Sequence, residues 1–139
     1  MKRTVLFLCT NNSCRSQMAE GILKQVAADT FEVCSAGVSP THVHPLAIRV
    51  MQEIGIDISG QRSKSVDEFS GKEFDYVITV CDNARQSCPF LPGKYKLLHW
   101  DLEDPASAEG ELLKDRLKVF RKIRDQIRGE IEKLLSEGI

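Results

Sequence analysis

The sequence predicts an α/β fold: a single domain, residues 1–139, built on a parallel sheet with helices on both faces. Three observations predict it. Short apolar, β-rich runs alternate along the chain with segments of helical period, and strands separated by helices pair in parallel and are covered on both sides. The 139 residues are enough to bury one core and fit one domain. No repeat, low-complexity stretch or linker divides them.

Arg3–Leu8 reads as a buried strand. Ser16–Ala28 reads as a helix, with Met18, Ile22 and Val26 four apart on one face. Phe31–Ser35 is a second strand, ended by Ala36-Gly37. Pro45 opens a second helix that carries Leu46, Val50 and Ile54 and stops at Gly55. Ser65–Phe69 reads as a helical turn. Phe74–Val80 is a third strand and Tyr95–His99 a fourth. Leu113, Leu117, Phe120, Ile127, Ile131 and Leu134 then recur at three- and four-residue steps, so a long helix closes the chain. That stripe would serve either as an oligomer seam or as a face packed on the sheet. The packed face is the simpler reading, and it leaves the protein a monomer.

The composition excludes several functions. A hydrophobic fraction of 42%, a charged fraction of 28% and a net charge of −1 provide no global field to draw nucleic acid or an anionic membrane. Lys2 and Arg3 precede an apolar run, but Val5-Leu6-Phe7-Leu8 is too short for a signal peptide, and nothing else approaches a membrane span. The expected location is cytoplasmic. Five cysteines in such a compartment point to catalysis, redox chemistry or metal binding rather than to structural disulfides. No C-x-x-C pair occurs, and His42, His44 and His99 do not flank a cysteine pair, so no metal site is expected.

The chemistry concentrates after the first strand, in Cys9-Thr10-Asn11-Asn12-Ser13-Cys14-Arg15-Ser16. A loop between a buried strand and a helix N-terminus directs successive backbone N–H groups at one spot, which suits a tetrahedral anion. Thr10, Asn11, Asn12, Ser13 and Cys14 would form this cradle, and Arg15 would fork two donors onto the anion. Asn11 and Asn12 tolerate the left-handed backbone that a tight nest needs. In that field Cys9 is a candidate nucleophile, although a buried strand-end cysteine can also serve only as packing. Ser16 would either donate a hydrogen bond to the Cys9 thiolate or serve as a helix-terminus hydroxyl.

Asp101, Glu103 and Asp104 follow the fourth strand, and Pro105 fixes the backbone after Asp104. Asp104 would be a general acid or a turn residue, and Asp101 and Glu103 compete for the acid role. Cys81 directly follows the third strand. Cys9, Cys81 and these acids therefore share the carboxyl edge of the sheet, where open α/β sheets bind ligands. Cys81 and Cys88 flank a polar, aperiodic segment that reads as a mobile surface loop. They are either a thiol relay with Cys9 or, respectively, a strand-end residue and a loop thiol without a role. Cys14 and Cys34 read as structural.

These residues resemble the thioredoxin-coupled arsenate reductases, which share their fold with low-molecular-weight protein tyrosine phosphatases. The resemblance spans the chain. It rests on Phe7–Thr10, Asn12–Gly21, Ser35-Ala36-Gly37, Gly55–Ser59, the pair Cys81 and Cys88, and His99-Trp100 with Asp104-Pro105-Ala106. It implies a four-stranded parallel sheet and arsenate as substrate. It further implies Cys9 as nucleophile, Arg15 as oxyanion clamp, Asp104 as general acid, and Cys81 then Cys88 as resolving thiols. No bound cofactor is implied; thioredoxin would be the external reductant. Two positions depart from the family pattern. Asn11 stands where a glycine is usual, and asparagine can adopt the same twist. Some members bind potassium through residues matching Asn12, Glu20, Ser35 and an aspartate, whose place Lys64 takes here. A phosphatase needs Cys9, Arg15 and Asp104 but neither resolving cysteine. A non-catalytic oxyanion or redox sensor would need no general acid.

Overall fold

Strand β1, Arg3–Cys9, sends alternate side chains into two apolar layers. Val5, Phe7 and Cys9 enter the larger core, and Leu6 and Leu8 enter the smaller one. The computed structural model describes residues 2–80, 93–107 and 112–137. Along these residues β1 is followed by α1 (Arg15–Ala27), β2 (Phe31–Gly37), α2 (Pro45–Gln52) and a 3-10 turn at Val66–Phe69. Then come β3 (Tyr76–Thr79), β4 (Lys96–His99), a 3-10 turn at Pro105–Ser107 and α3 (Leu113–Ser136).

The four strands form one parallel sheet in the order β2-β1-β3-β4. Cys9 lies opposite Gly37, Leu8 opposite Thr79, and Thr79 opposite His99. The carboxyl ends of the strands are therefore nearly flush. The chain runs from β1 to a neighbour on one side and later to a neighbour on the other. The crevice beyond Cys9 is thus the topological switch point where such sheets bind ligands.

Both faces are covered, unequally. Helices α1, α2 and α3 share the larger core with Phe7, Phe31, Val33 and Ile78. The opposite layer is Leu6, Leu8, Ala36, Phe74 and Val77, closed by Val66 and Phe69 of the first 3-10 turn. Helix α1 is buried at every residue from Arg15 to Leu23. Of its expected apolar face, Met18 and Ile22 are buried but Val26 is 56% exposed. Its last turn leaves the packed region, and Lys24 and Gln25 are exposed beside Val26. Gly21 lets α1 approach its neighbour, because a Cβ there would lie 2.5 Å from Ile58 Cγ2. Helix α2 stops at Gln52 rather than Ile54, and Gly55 follows with φ +78°, a conformation glycine adopts without steric cost. The stripe of α3 is a packed face: Leu117, Phe120, Ile123, Ile127, Ile131 and Leu134 are buried, chiefly against α1 and α2. Leu113, in its first turn, is 51% exposed. Among the described residues no helix is long and apolar enough to cross a membrane.

A charged junction fastens α2 to α3. Glu53 accepts from Arg121 Nε at 2.9 Å and from Arg124 Nη1 at 2.9 Å, and Arg124 Nη1 also donates to Val50 O at 2.9 Å. The Arg121 hydrogen bond, helped by Arg124, holds the Glu53 carboxyl at about 2, against an ordinary value of 4.5. A carboxyl depressed on folding stabilises the fold above its unfolded value and loses that contribution as pH falls through its folded value. Glu53→Gln is therefore expected to cost about 1 kcal/mol at pH 7, the range for a largely solvated ion pair. It is also expected to flatten the loss of stability between pH 4.5 and 2. Thermal melts of both proteins across that window check it, and an unchanged acid slope in the variant contradicts it.

Candidate active site

Five consecutive carbonyls of the loop after β1 are held from outside. Thr10 O accepts from Ser39 N, Asn11 O from Thr41 N, Ser13 O from His44 N, and Cys14 O from Met18 N. Asn12 O accepts from Gln17 Nε2 at 3.1 Å. With its carbonyls turned outward, the loop presents its N–H groups to the concave side, the arrangement that binds anions. The Asn12 N–H shows that direction, since it reaches Cys9 Sγ at 3.1 Å. Gly37 permits the close approach. A Cβ there would lie 2.6 Å from Thr10 O and 2.9 Å from Asn12 N, both backbone atoms. The Ser35-Ala36-Gly37 motif is thus the floor under the loop.

Asn12 is the residue that takes the left-handed conformation, with φ 51°. The twist falls there and not on Asn11, so asparagine at position 11 costs the loop nothing in φ. The Asn12 side chain is fully buried. Its Nδ2 donates to Ser16 Oγ at 2.8 Å and to Ser35 Oγ at 2.9 Å. Its Oδ1 accepts from Gln17 Nε2 at 2.8 Å and from Lys64 N at 2.9 Å. Ser16 Oγ lies 2.8 Å from Cys9 Sγ. With the sulfur as thiolate, the only proton in that contact belongs to Ser16. Ser16 therefore faces Cys9 and Asn12, and no side chain caps the helix at Cys14.

Beyond the sulfur lies a cavity of about 280 Å³ whose wall includes Cys9, Asn11, Ser13, Cys14, Arg15 and Asp104. Thr10 and Asn12 are not in that wall; Thr10 Oγ1 is buried without a hydrogen-bond partner among the described residues. Arg15 is only 4% exposed and is aimed by Leu102 O, which accepts from its Nη1 at 3.0 Å. Its Nη2 stands 3.8 Å from Asp104 Oδ2. Asp104 Oδ1 accepts from Ala106 N at 3.0 Å, so a turn hydrogen bond orients the same carboxyl that lines the cavity. Asp101 and Glu103 do not line it; Glu103 pairs at 3.9 Å with Lys122 on α3. The second thiol in the wall differs from the first. Burial pushes the Cys14 thiol up to about 12, so it stays protonated and poorly nucleophilic at neutral pH. Cys34, on β2, is also pushed up by burial, in keeping with a structural role. Cys81 and Cys88 lie outside the described residues.

The residues that match a potassium site do not fit a cation here. Both donors to Asn12 Oδ1 are already in place. Ser35 Oγ donates to Glu20. Glu20, itself 3% exposed, has Lys24 Nζ at 2.6 Å and Lys64 Nζ at 3.6 Å. Two ammonium groups neutralise the one carboxylate, and a further cation would meet repulsion.

The cavity wall also holds Thr41, His42, His44 and Ala106, which sequence reasoning did not assign to it. In the sequence, His42 and His44 bear only on metal-ligand spacing, which they do not satisfy. The sole local signal was His44-Pro45 at a helix start. Here His44 Nδ1 accepts from Leu46 N at 3.1 Å and caps α2.

Comparison with known proteins places this geometry. The sequence matches the low molecular weight phosphotyrosine protein phosphatase family over residues 4–138. It is 43% identical over 137 residues to an arsenate reductase of Halalkalibacterium halodurans, spanning 99% of this chain and 98% of that relative. The fold superposes on a solved arsenate reductase in its phosphate binding state with a TM-score of 0.78 at 38% identity, covering 97% of this chain and 98% of the other. It superposes on a thioredoxin-dependent arsenate reductase of Corynebacterium glutamicum with a TM-score of 0.73 at 33% identity, covering 98% of this chain and 61% of that one.

Exchange of sodium for potassium at matched ionic strength is expected to leave the melting temperature unchanged, because Lys64 and Lys24 already compensate Glu20. A rise specific to potassium would show that the ion displaces the Lys64 ammonium.

Proposed function

The chain belongs to the low molecular weight phosphotyrosine protein phosphatase family, and we propose that within it this member is a thioredoxin-coupled arsenate reductase. The observation that carries the reading is Cys9 Sγ, held by Ser16 Oγ and the Asn12 N–H at the foot of a cavity that also contains Arg15 and Asp104. The relatives' activity and the pair Cys81 and Cys88 turn that site from hydrolysis toward reduction.

Arsenate sits on the loop amides from Thr10 to Arg15, with the Arg15 guanidinium on its oxygens. The Cys9 thiolate attacks arsenic, and Asp104 protonates the oxygen that departs as water. The Cys81 thiolate then attacks the Cys9 sulfur. The electron pair of the sulfur–arsenic bond passes to arsenic, which leaves as arsenite, and a Cys9–Cys81 disulfide forms. Cys88 attacks Cys81 and frees Cys9. Thioredoxin reduces the resulting Cys81–Cys88 disulfide. The chain works as a cytoplasmic monomer and serves to remove arsenate.

Phosphatase action is the second reading, favoured by the family and by the near-isostery of arsenate and phosphate. Arsenite production with thioredoxin, thioredoxin reductase and NADPH, beside p-nitrophenyl phosphate hydrolysis, separates the two.

Cys9→Ser is expected to abolish both activities, since both begin at one sulfur; arsenite production that survived would sink the mechanism. Asp104→Asn is expected to slow turnover by roughly 10²–10⁴-fold with arsenate binding nearly intact, the range for a lost general acid. A change confined to binding would instead mark a turn residue.

Cys88→Ser is expected to release about one arsenite per enzyme and stop as a Cys9–Cys81 disulfide, the stoichiometry of an exchange that lacks its last thiol. Cys81→Ser is expected to release little or none. Mass spectrometry of the quenched single turnover identifies the joined cysteines. Sustained turnover by Cys88→Ser would make that thiol a bystander.

A further inference from the structure

His44 has a hydrogen-bonding edge that the mechanism above does not use. Its ring is fixed on several sides. Nδ1 accepts from Leu46 N at 3.1 Å, and the backbone N–H of His44 donates to Ser13 O of the anion loop at 3.1 Å. The Phe120 ring lies 4.9 Å away, and the His42 ring lies 6.4 Å away at an interplanar angle of 22°. His44 is part of the cavity wall, and its remaining hydrogen-bonding atom, Nε2, makes no hydrogen bond among the described residues. Burial first, then Arg116 and His42, lower the affinity of this imidazole for a second proton, against the opposing pull of Asp104. A neutral ring whose Nδ1 accepts must carry its proton on Nε2.

We propose that His44 is a further substrate-binding residue, whose Nε2–H donates to an oxygen of the tetrahedral oxyanion from a wall that the Cys9–Arg15 loop does not supply. The proposal rests on the reading of this cavity as an oxyanion site. It ties the helix cap, the loop carbonyl and the substrate contact to one side chain. Substrate affinity would then respond to the placement of α2 as well as to the loop.

The test measures arsenate binding without turnover, in a Cys81→Ser background where no disulfide with Cys9 can form, as protection of Cys9 from alkylation by iodoacetamide. Two variants separate the roles of the ring. His44→Asn retains an acceptor that can cap α2 but not the reach into the cavity. His44→Phe retains the ring and loses both hydrogen bonds. In both, the arsenate concentration giving half protection is expected to rise about tenfold, the scale of one hydrogen bond to a charged ligand. With Cys81 in place, the KM for arsenate should rise in step while kcat stays within about threefold, as for a contact made equally in ground and transition states. The alkylation rate without arsenate should match that of the protein with His44. Half protection unchanged in both variants would overturn the proposal. A rise only in His44→Phe, together with faster alkylation and a lower melting temperature, would reduce His44 to a cap and overturn it as well. Failure of arsenate to protect Cys9 even with His44 in place would reject the oxyanion reading itself.

Discussion

The site depends on one buried amide. Asn12 is fully buried, sits in the left-handed region, and uses both of its donors and both acceptor positions of its oxygen. Through Ser16 it reaches the sulfur, and through Ser35 it reaches Glu20. Through Lys64 and Gln17 it is pinned to the neighbouring segment and to α1. An unpaired amide at this depth would cost on the order of 1–3 kcal/mol per lost partner. The network is therefore close to all-or-none, and the loop it carries has one shape.

That rigidity separates two chemically identical groups. Cys9 and Cys14 line the same cavity five residues apart. As a thiolate, Cys9 receives the Ser16 hydroxyl as well as a backbone N–H; Cys14 is shut in by burial that favours the neutral thiol. The same logic governs the cations. Arg15 is buried with its fork aimed by Leu102 O, so under the proposed mechanism it would meet the anion without having to reorganise. Lys64 and Lys24 are directed instead at Glu20, which Asn12 reaches through Ser35.

The order of strands and helices was legible because apolar period and turn residues are local signals. The floor of the loop was legible in part, as Ser35-Ala36-Gly37 follows a strand. Its purpose was not, because only the register of Gly37 opposite Cys9 shows that a side chain there would strike the loop backbone. Val26 misled because periodicity marks a face and does not mark where a helix leaves its neighbours. The twist at Asn12 was half legible: either asparagine can take it by sequence, and the folded loop has it on the second. His44 was hidden because its signal is capping, which many residue types share, while its position on the cavity wall arises only when α2 docks beside the loop. Asp104 was one of three acids by sequence. Placement on the wall beside Arg15 distinguishes it from Asp101 and Glu103.

The Asn12 side chain ties the loop to Ser16, Ser35, Gln17 and Lys64, and through Ser16 to the Cys9 sulfur, a claim open to direct test. Asn12→Gly keeps the left-handed backbone and removes the side chain, so it tests that claim directly. The measurement is the rate of Cys9 alkylation by iodoacetamide at pH 7 and its suppression by arsenate, with and without the substitution, in folded protein carrying Cys81→Ser so that no disulfide with Cys9 can form. Removing the four side-chain hydrogen bonds of Asn12 is expected to slow alkylation by about tenfold or more and to abolish arsenate protection, at least the scale of one buried hydrogen bond. A variant that folds, alkylates at the rate of the protein with Asn12 and is still protected by arsenate would contradict the claim.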